Sequence, residues 1–434
     1  MDTLIEFFSF KYPNIKYVLF GSILLAVSSA IVGCFTFLKK KALVGDVVSH
    51  AVLPGICLAY LFSTKTLGLT DKNPLILLIG AFTTGWLSIL IIDNIVKKTK
   101  LKEDTATGLV LSVFFGIGIL LMTYIQKHGG SSQTGLDSFL FGKAASLVGE
   151  DLVVFAIISA VLIIAVLILF KEFTLISFDS AFASAIGFPV KGLNLVLTTL
   201  TVLAVVTGIQ AVGVVLMAAM LITPAAAARF WSDNLKKMII LAAAFGAISG
   251  TIGAYISYIA PSMPTGPWIV MILSIIALGS FFLSPGKGIL FKILKRRRIQ
   301  KLILEENILK LFFQLGEKSR DFRDPRSIDE IIEKREFKLQ QLKSGLQKLK
   351  RQGYLTNTDN NWQLTEEGFV KGKRVLKLHR LWEVYLTQYL RIAPDHVHDD
   401  AERIEHIITP ELEKRLEKLL EFPDRDPHES EIPY

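Results

Sequence analysis

Pro267-Trp-Ile-Val-Met-Ile-Leu-Ser-Ile-Ile-Ala-Leu-Gly-Ser-Phe-Phe-Leu-Ser-Pro285 is an unbroken apolar run. Seven basic residues follow it within 15 positions: Lys287, Lys292, Lys295, Arg296, Arg297, Arg298 and Lys301. A run of nearly 20 apolar residues has the length that crosses a hydrocarbon core as a helix. A basic flank behind it belongs at a membrane surface, as a stop-transfer segment against anionic lipid, with direct nucleic-acid contact as the alternative. The sequence changes character at this point. Residues 1 to about 286 are apolar runs separated by short polar loops, whereas residues 287 to 434 hold most of the charge and no run long enough to span.

The whole chain of 434 residues is 51% hydrophobic and 20% charged, too apolar for a soluble enzyme of this length. Its net charge of +9 is unevenly distributed: 25 basic against 13 acidic residues up to Lys301, and 23 against 26 beyond it. Basicity therefore belongs to the membrane half. The two cysteines, Cys34 and Cys57, lie inside apolar runs, which leaves neither a disulfide framework nor a thiolate metal cluster. The chain opens Met-Asp-Thr-Leu-Ile-Glu with no basic region before its first apolar stretch, so that first helix is expected to act as its own insertion signal.

Apolar runs fall at about 17–38, 46–63, 73–96, 106–126, 151–170, 194–211, 212–230, 238–260 and 267–285, which makes eight or nine spans. Pro54-Gly55 and Thr223-Pro224 are expected to interrupt the second and seventh, as is tolerated where backbone lines a cavity or is buried in protein. Lys39, Lys40, Lys41, Lys97, Lys98, Lys100, Lys102, Lys171, Lys191, Arg229, Lys236 and Lys237 all fall in alternate loops. Those loops read as cytoplasmic. Nine spans then place the N-terminus outside and everything after residue 286 in the cytoplasm.

The segment Lys41-Ala-Leu-Val-Gly-Asp46-Val-Val-Ser-His50-Ala-Val-Leu-Pro54-Gly55 sets a carboxylate and an imidazole four residues apart at the mouth of a span. On a helix they share a face. Ionisable groups at membrane depth are costly and mark pathways, and an Asp/His pair suits a first-row divalent metal. The plainer alternative is an Asp cap and a His bonded to a carbonyl.

With this segment, Glu103-Asp104-Thr-Ala-Thr-Gly108, Leu140-Phe-Gly142, Phe178-Asp179-Ser-Ala-Phe-Ala183, Gly213-Val-Val-Leu-Met, Ile222-Thr-Pro224-Ala-Ala-Ala-Ala-Arg229 and Pro264-Thr-Gly266-Pro267 follow in order along the chain. Together they resemble the manganese/zinc/iron permease family of ATP-binding-cassette importers over residues 15 to 285. The resemblance implies a cytoplasmic ATPase-docking loop from Phe178 through Asp179 and Ala183 to Gly187, where an amphipathic interfacial connector is the alternative. No G-x-x-x-x-G-K-[ST] phosphate loop occurs in the chain. A separate ATPase subunit, an extracytoplasmic metal-binding protein and a second copy of the permease are therefore the implied partners, and the chain itself is not expected to be an enzyme.

Beyond residue 301, amphipathic helices are expected at 304–317, 327–334 and 336–352, followed by a turn-rich insert between Tyr354 and Gly368 that reads as a β-hairpin. Three helices and a hairpin make a winged helix-turn-helix. Its third helix carries Lys338, Gln340, Gln341, Lys343, Ser344 and Lys348, side-chain types that reach phosphates and base edges. A protein-interaction module is the alternative, and the acidity of this half keeps it open.

Five of the seven histidines, His379, His396, His398, His406 and His428, fall in the last 56 residues. His379 and Glu383 share an i,i+4 spacing, as do His398 and Glu402, with Glu405 and His406 close behind. Such a mixed nitrogen/oxygen set suits one or two divalent ions. The stretches His379-Arg-Leu-Trp-Glu383, Val397-His398-Asp-Asp-Ala-Glu402-Arg-Ile-Glu405-His406 and Asp426-Pro-His428-Glu resemble the diphtheria-toxin-repressor and manganese-regulator family over residues 300 to 434. That resemblance implies dimers that bind operator DNA when metal-loaded. It assigns His379, Glu383 and His398 to one metal site and Glu402, Glu405 and His406 to another, with Glu306 as a further ligand. Glu402 stands where iron-type members carry cysteine, which tilts preference toward manganese. Leu309 stands where manganese-type members carry a second acid.

The expected architecture is an all-α polytopic membrane domain (1–286), a basic juxtamembrane linker (287–301), a winged-helix DNA-binding domain (302–370) and a helical metal-sensing and dimerisation domain (371–434). The expected function is a permease subunit importing Mn²⁺ or Fe²⁺, with Zn²⁺ third, in a bacterial inner membrane, fused to a cytoplasmic metal-dependent transcriptional regulator and acting as a homodimer. Two rivals remain: a transporter whose tail is a metal-sensing gate without DNA binding, and a membrane-tethered transcription factor without transport.

Overall fold

Apolar sequence in hydrocarbon must satisfy its backbone hydrogen bonds within the segment, which makes each long run a helix. The computed structural model describes residues 2–10, 12–41, 43–66, 74–128, 142, 147–260, 263–392 and 408–434. These form two compact units, Met1–Phe291 and Lys292–Tyr434. The first contains α1 (Asp2–Phe8), α2 (Pro13–Leu38), α3 (Val44–Thr66), α4 (Pro74–Lys98), α5 (Glu103–His128), α6 (Gly149–Ile168), α7 (Phe170–Phe178), α8 (Ser180–Ala185), α9 (Val190–Val212), α10 (Val214–Trp231), α11 (Leu235–Ile259) and α12 (Thr265–Leu283).

Among the described residues, eight helices are long and apolar enough to cross a membrane, and the ninth expected run is the shorter apolar helix α10. At 18 residues it reaches about 27 Å, close to the roughly 30 Å hydrocarbon thickness. Burial sorts the bundle. In α2 and α9, 72% of the apolar window is covered by protein, against 22% in α5, α6 and α12. The first pair is the interior and the second set turns its apolar surface outward, as lipid requires.

The two expected interruptions do not occur: α3 continues through Pro54 and α10 through Pro224. Proline removes one helical hydrogen bond but does not end a helix whose neighbours hold it. Around Pro54 that support is close packing of α3 on α4. A Cβ on Gly55 would lie 2.1 Å from both the Gly80 carbonyl oxygen and the Thr84 Oγ1, so only glycine permits the crossing. The break falls instead between α9 and α10, at Gly213 alone. Its φ of +93° lies in the region that L side chains rarely adopt.

The second unit starts within α13 (Ile289–Ser319). The segment 287–301, expected as a linker, is helical from Ile289, because it consists of good helix formers without glycine or proline. Next come α14 (Ile328–Lys334) and α15 (Leu339–Arg351), then the antiparallel strands β1 (Leu355–Thr358) and β2 (Asn361–Leu364). Asp359 and Asn360, both at positive φ, make the two-residue turn that matches strand twist. Trp362 exchanges two backbone hydrogen bonds with Arg326, each 2.8 Å, which holds the hairpin to the segment before α14. Ile308, Leu309, Leu311, Phe312 and Leu315 of α13 pack with Ile331, Leu342, Leu346, Leu349, Leu355, Trp362 and Leu364 as one core.

α16 (Glu366–Leu390) is capped by Thr365, whose hydroxyl accepts the Gly368 N–H, and packs on α17 (Pro410–Leu419). Burial works against the Lys377 ammonium, but its ion pairs with Glu413 and Glu417, at 2.7 and 2.6 Å, outweigh it and hold its pKa above the usual lysine value. Arg380 is clamped by both oxygens of Glu317, at 2.9 and 2.8 Å, and lies 3.5 Å from Asp426. That joins α13, α16 and the last residues of the chain.

Candidate functional sites

In the membrane unit, Asp46 and His50 fall in the first two turns of α3. As their spacing requires, they share a face: His50 Nε2 lies 3.5 Å from Asp46 Oδ1. The imidazole meets the Phe115 ring of α5 edge-on, with centroids 4.9 Å apart. Its other nitrogen, Nδ1, is buried and has no hydrogen-bond partner. A buried imidazole nitrogen without a partner is an orphan acceptor or donor, and here it is a different ring nitrogen from the one that faces the carboxylate. At the same end of α3, Lys41 lies 3.6 Å from Asp93 and 3.3 Å from Glu103, linking α4 and α5. Sequence reading missed Phe115 and this charge triad, which no local spacing reveals.

The loop expected to dock an ATPase, Phe178 to Gly187, begins at the last residue of the short helix α7 and contains the short helix α8. Asp179 caps α8 by accepting the Phe182 N–H at 2.8 Å, and Gly187, at φ +90°, ends the turn. Phe173, Ile176 and Ala183 pack against α9 residues Leu193 and Leu197. Phe178, Phe182, Ile186 and Phe188 remain exposed, an apolar group outside the spanning helices.

In the second unit α15 is two-sided. Leu342, Gly345, Leu346 and Leu349 are buried, whereas Lys338, Gln340, Gln341, Lys343 and Ser344 are exposed. Lys348 departs from the expected set: it pairs with the buried carboxylate of Glu305, which also receives the Gln352 amide at 3.4 Å.

His379 and Glu383 lie on α16, each almost fully buried, with Nε2 3.1 Å from Oε1. On the other side of the ring Nδ1 is 3.4 Å from the Nζ of Lys310, a lysine of α13 that is only 1% exposed. The pair expected to ligate an ion therefore has the Lys310 Nζ beside it. Glu306 is half-buried on α13, and Leu309, at the position of the missing acid, is part of the core. His398, Glu402, Glu405 and His406 lie outside the described residues. Among the described residues no three His, Cys, Asp or Glu side chains gather to hold a metal. Lys310 was not singled out from the sequence. The signal was there, a lysine inside Asn307-Ile-Leu-Lys310-Leu-Phe-Phe.

Residues 11–284 match the model of the ABC 3 transport family, and residues 365–434 match that of the iron-dependent repressor metal binding and dimerisation domain. The manganese transport system membrane protein MntC of Bacillus subtilis (strain 168) is 40% identical over 421 residues, 96% of this chain and 94% of its own length. The zinc transport system membrane protein TroC of Treponema pallidum (strain Nichols) is 39% identical over 302 residues, 70% of this chain and 99% of its own. Among solved structures, PsaBC from Streptococcus pneumoniae in complex with Fab aligns at 34% identity and a TM-score of 0.58, covering 68% of this chain and 99% of that one.

Proposed function

Because the chain belongs to the ABC 3 transport family, we propose that it is the membrane permease of an ATP-driven importer of divalent transition metal, with a metal-responsive regulator built into the same chain. Mn²⁺ is the first cargo, in keeping with the manganese name of the relative that aligns along nearly the whole chain. Fe²⁺ follows, then Zn²⁺, the metal in the name of the shorter relative. One observation carries the transport half: on a membrane helix His50 turns Nε2 toward the Asp46 carboxylate at 3.5 Å while its buried Nδ1 has no hydrogen-bond partner. Such a pair can take up an ion in exchange for part of its water shell and release it, since two protein ligands hold less firmly than a closed site of four.

The energy source lies on a separate ATPase subunit, which docks on the exposed aromatics around α8, and an extracytoplasmic binding protein delivers the metal. Replacing one exposed apolar group by a charge should break docking without harming the fold, since Phe182 is 54% exposed. Phe182→Asp is expected to lower Mn²⁺ uptake at least about tenfold, the size of a lost hot-spot contact. Co-purification of the ATPase should fall in parallel; uptake lost with the ATPase still bound would reject the docking role.

The second unit is read as a winged helix, with α15 as recognition helix and the β1–β2 hairpin as wing, followed by a sensing and dimerising segment. The exposed row Lys338, Gln340, Gln341, Lys343 and Ser344 supports this, because the apolar face of the same helix is spent on the core. The domain limits 302–370 and 371–434 are retained for this reading. Glu402, Glu405 and His406 are the residues to which the metal response is assigned, and operator DNA is the partner of the homodimer.

The unit must then face the cytoplasm, as the basic loops require. A reporter fused after Tyr434 is expected to be active only in its cytoplasmic form. Activity on the outer side would reverse the orientation and remove gene regulation from the chain's functions.

A further inference from the structure

We infer that the turn between α2 and α3 is the mechanical link between the docking segment around α8 and the Asp46–His50 pair. Lys39 ties this turn to Asn194 on α9, and Lys41 ties it to Asp93 on α4 and Glu103 on α5. Both lysines are thus positioning residues for transport. The link rests on the reading of the membrane unit as an ATP-driven importer.

Chain connection sets one end of it. α9 begins at Val190, directly after the docking segment, so Asn194 stands in its second turn. Phe173 of α7 meets Phe35 of α2 edge-on, with centroids 5.7 Å apart, one turn before Lys39. Closely packed elements move together, so a shift of the docking segment reaches both the end of α2 and the start of α9.

The other end is α3. The Lys41 carbonyl accepts the Val44 N–H at 3.2 Å, and the Lys41 N–H donates to the Thr36 carbonyl at 3.1 Å, which fastens the turn to both helices. Val44 opens α3, and Asp46 and His50 follow within two turns. The Lys41 ammonium lies 3.3 Å from Glu103, the first residue of α5, and 3.6 Å from Asp93 near the end of α4. α5 also carries Phe115, which the His50 ring meets. The turn therefore sets the start of α3 against α5, and with it the imidazole against the Phe115 ring.

Charge makes the turn depend on these ties. Burial, then the nearby Lys41, push the Lys39 ammonium down to about 8, against the pull of Asp93 and Glu103. Two repelling ammoniums in one turn keep this arrangement only while each is held from its far side, Lys39 by the Asn194 side-chain oxygen and Lys41 by the two carboxylates. Partly exposed ion pairs of this kind add little to stability, so what they fix is position.

The test measures Mn²⁺ moved per ATP hydrolysed at saturating Mn²⁺, with the full chain reconstituted in proteoliposomes together with its ATPase subunit and binding protein. Asn194→Leu is expected to lower that ratio about tenfold, an ordinary size for coupling between two sites, while ATP hydrolysis stays within about twofold of the wild-type rate. Asn194→Asp, which keeps an oxygen for the Lys39 ammonium, should preserve the ratio. Lys39→Met should match Asn194→Leu, and the double variant should be no worse than either, because each change breaks the same contact. Lys41→Met should uncouple in the same way, and Lys41→Arg should not. Where Asn194→Leu fails to reach the membrane, Lys39→Met and Asn194→Asp carry the comparison.

A wild-type ratio in Asn194→Leu, Lys39→Met or Lys41→Met overturns the link. So does a fall that comes only with loss of the ATPase subunit from the complex, since Asn194 would then belong to the docking surface. If the wild-type assembly moves no Mn²⁺ with ATP, the importer reading fails and the link falls with it.

Discussion

Cells that rely on this chain for Mn²⁺ should accumulate no radioactive Mn²⁺ above background when either Asp46 or His50 is replaced by alanine. The size of the effect follows from the site. Changing a group that merely supports a metal ligand costs roughly 10–100-fold in affinity, so removing one of two protein ligands should cost more. The fold has little at stake in either side chain. The Asp46 side chain is 44% exposed and acts on its helix mainly through the dipole, a contribution of about 0.3–1 kcal/mol. The edge contact of His50 with Phe115 is worth about as much. Membrane-inserted protein should therefore be unchanged on an immunoblot while uptake is lost. Uptake at the wild-type rate in both variants would remove the pair from the pathway.

The second large effect is expected in gene regulation. A soluble fragment beginning near residue 300 should protect a palindromic site close to its own promoter when Mn²⁺ or Fe²⁺ is present, and lose most of its affinity in chelator. Glu402→Ala with His406→Ala should abolish this metal response, because carboxylate and imidazole at those positions are the donors assigned to the ion. Lys338→Ala should act differently. Its side chain is exposed at the start of α15, so if it reaches the nucleic acid, DNA affinity should weaken at every metal concentration while metal binding stays intact. The salt dependence of binding should become shallower by about one counterion if that contact is to phosphate. Footprinting and calorimetry on the same variants separate the two. A fragment that binds metal tightly yet protects no DNA would turn the second unit into a gate on transport.

Run length and composition were enough to place the eight long apolar helices and the shorter α10 found among the described residues, because a membrane helix needs no particular face and each of its residues votes for the same state. What happens at Pro54 was not readable in that way. The proline argues for a break, but the glycines at 55 and 80, far apart in sequence, bring two helices together and the segment stays helical through it. In the second unit the hairpin was legible from its turn residues, Asp359 and Asn360 among them, since their positive φ is a local demand. The roles of individual charges were not. Lys348 looks like a DNA contact from its place in α15, yet Glu305 claims it from another helix. Lys310 looks like one more polar residue of an amphipathic helix, and only the meeting of α13 with α16 shows that it points inward at an imidazole. His379 and Glu383 were correctly paired by their i,i+4 spacing, which is fixed by helix geometry alone.

The unbroken passage of α3 through Pro54 has a further consequence for an ion giving up its hydration. Proline brings no N–H, and the carbonyl that such an N–H would reach in a helix is four residues earlier, on His50. If His50 serves the pathway, its main-chain oxygen, without that helical N–H, is a second oxygen or nitrogen donor on the same residue as the imidazole. A hard divalent cation shedding water can be offered oxygen without a second charged side chain being placed in the bilayer. On the proposed pathway, proline at this position would act as a solvent substitute, leaving in the backbone an oxygen to replace lost water.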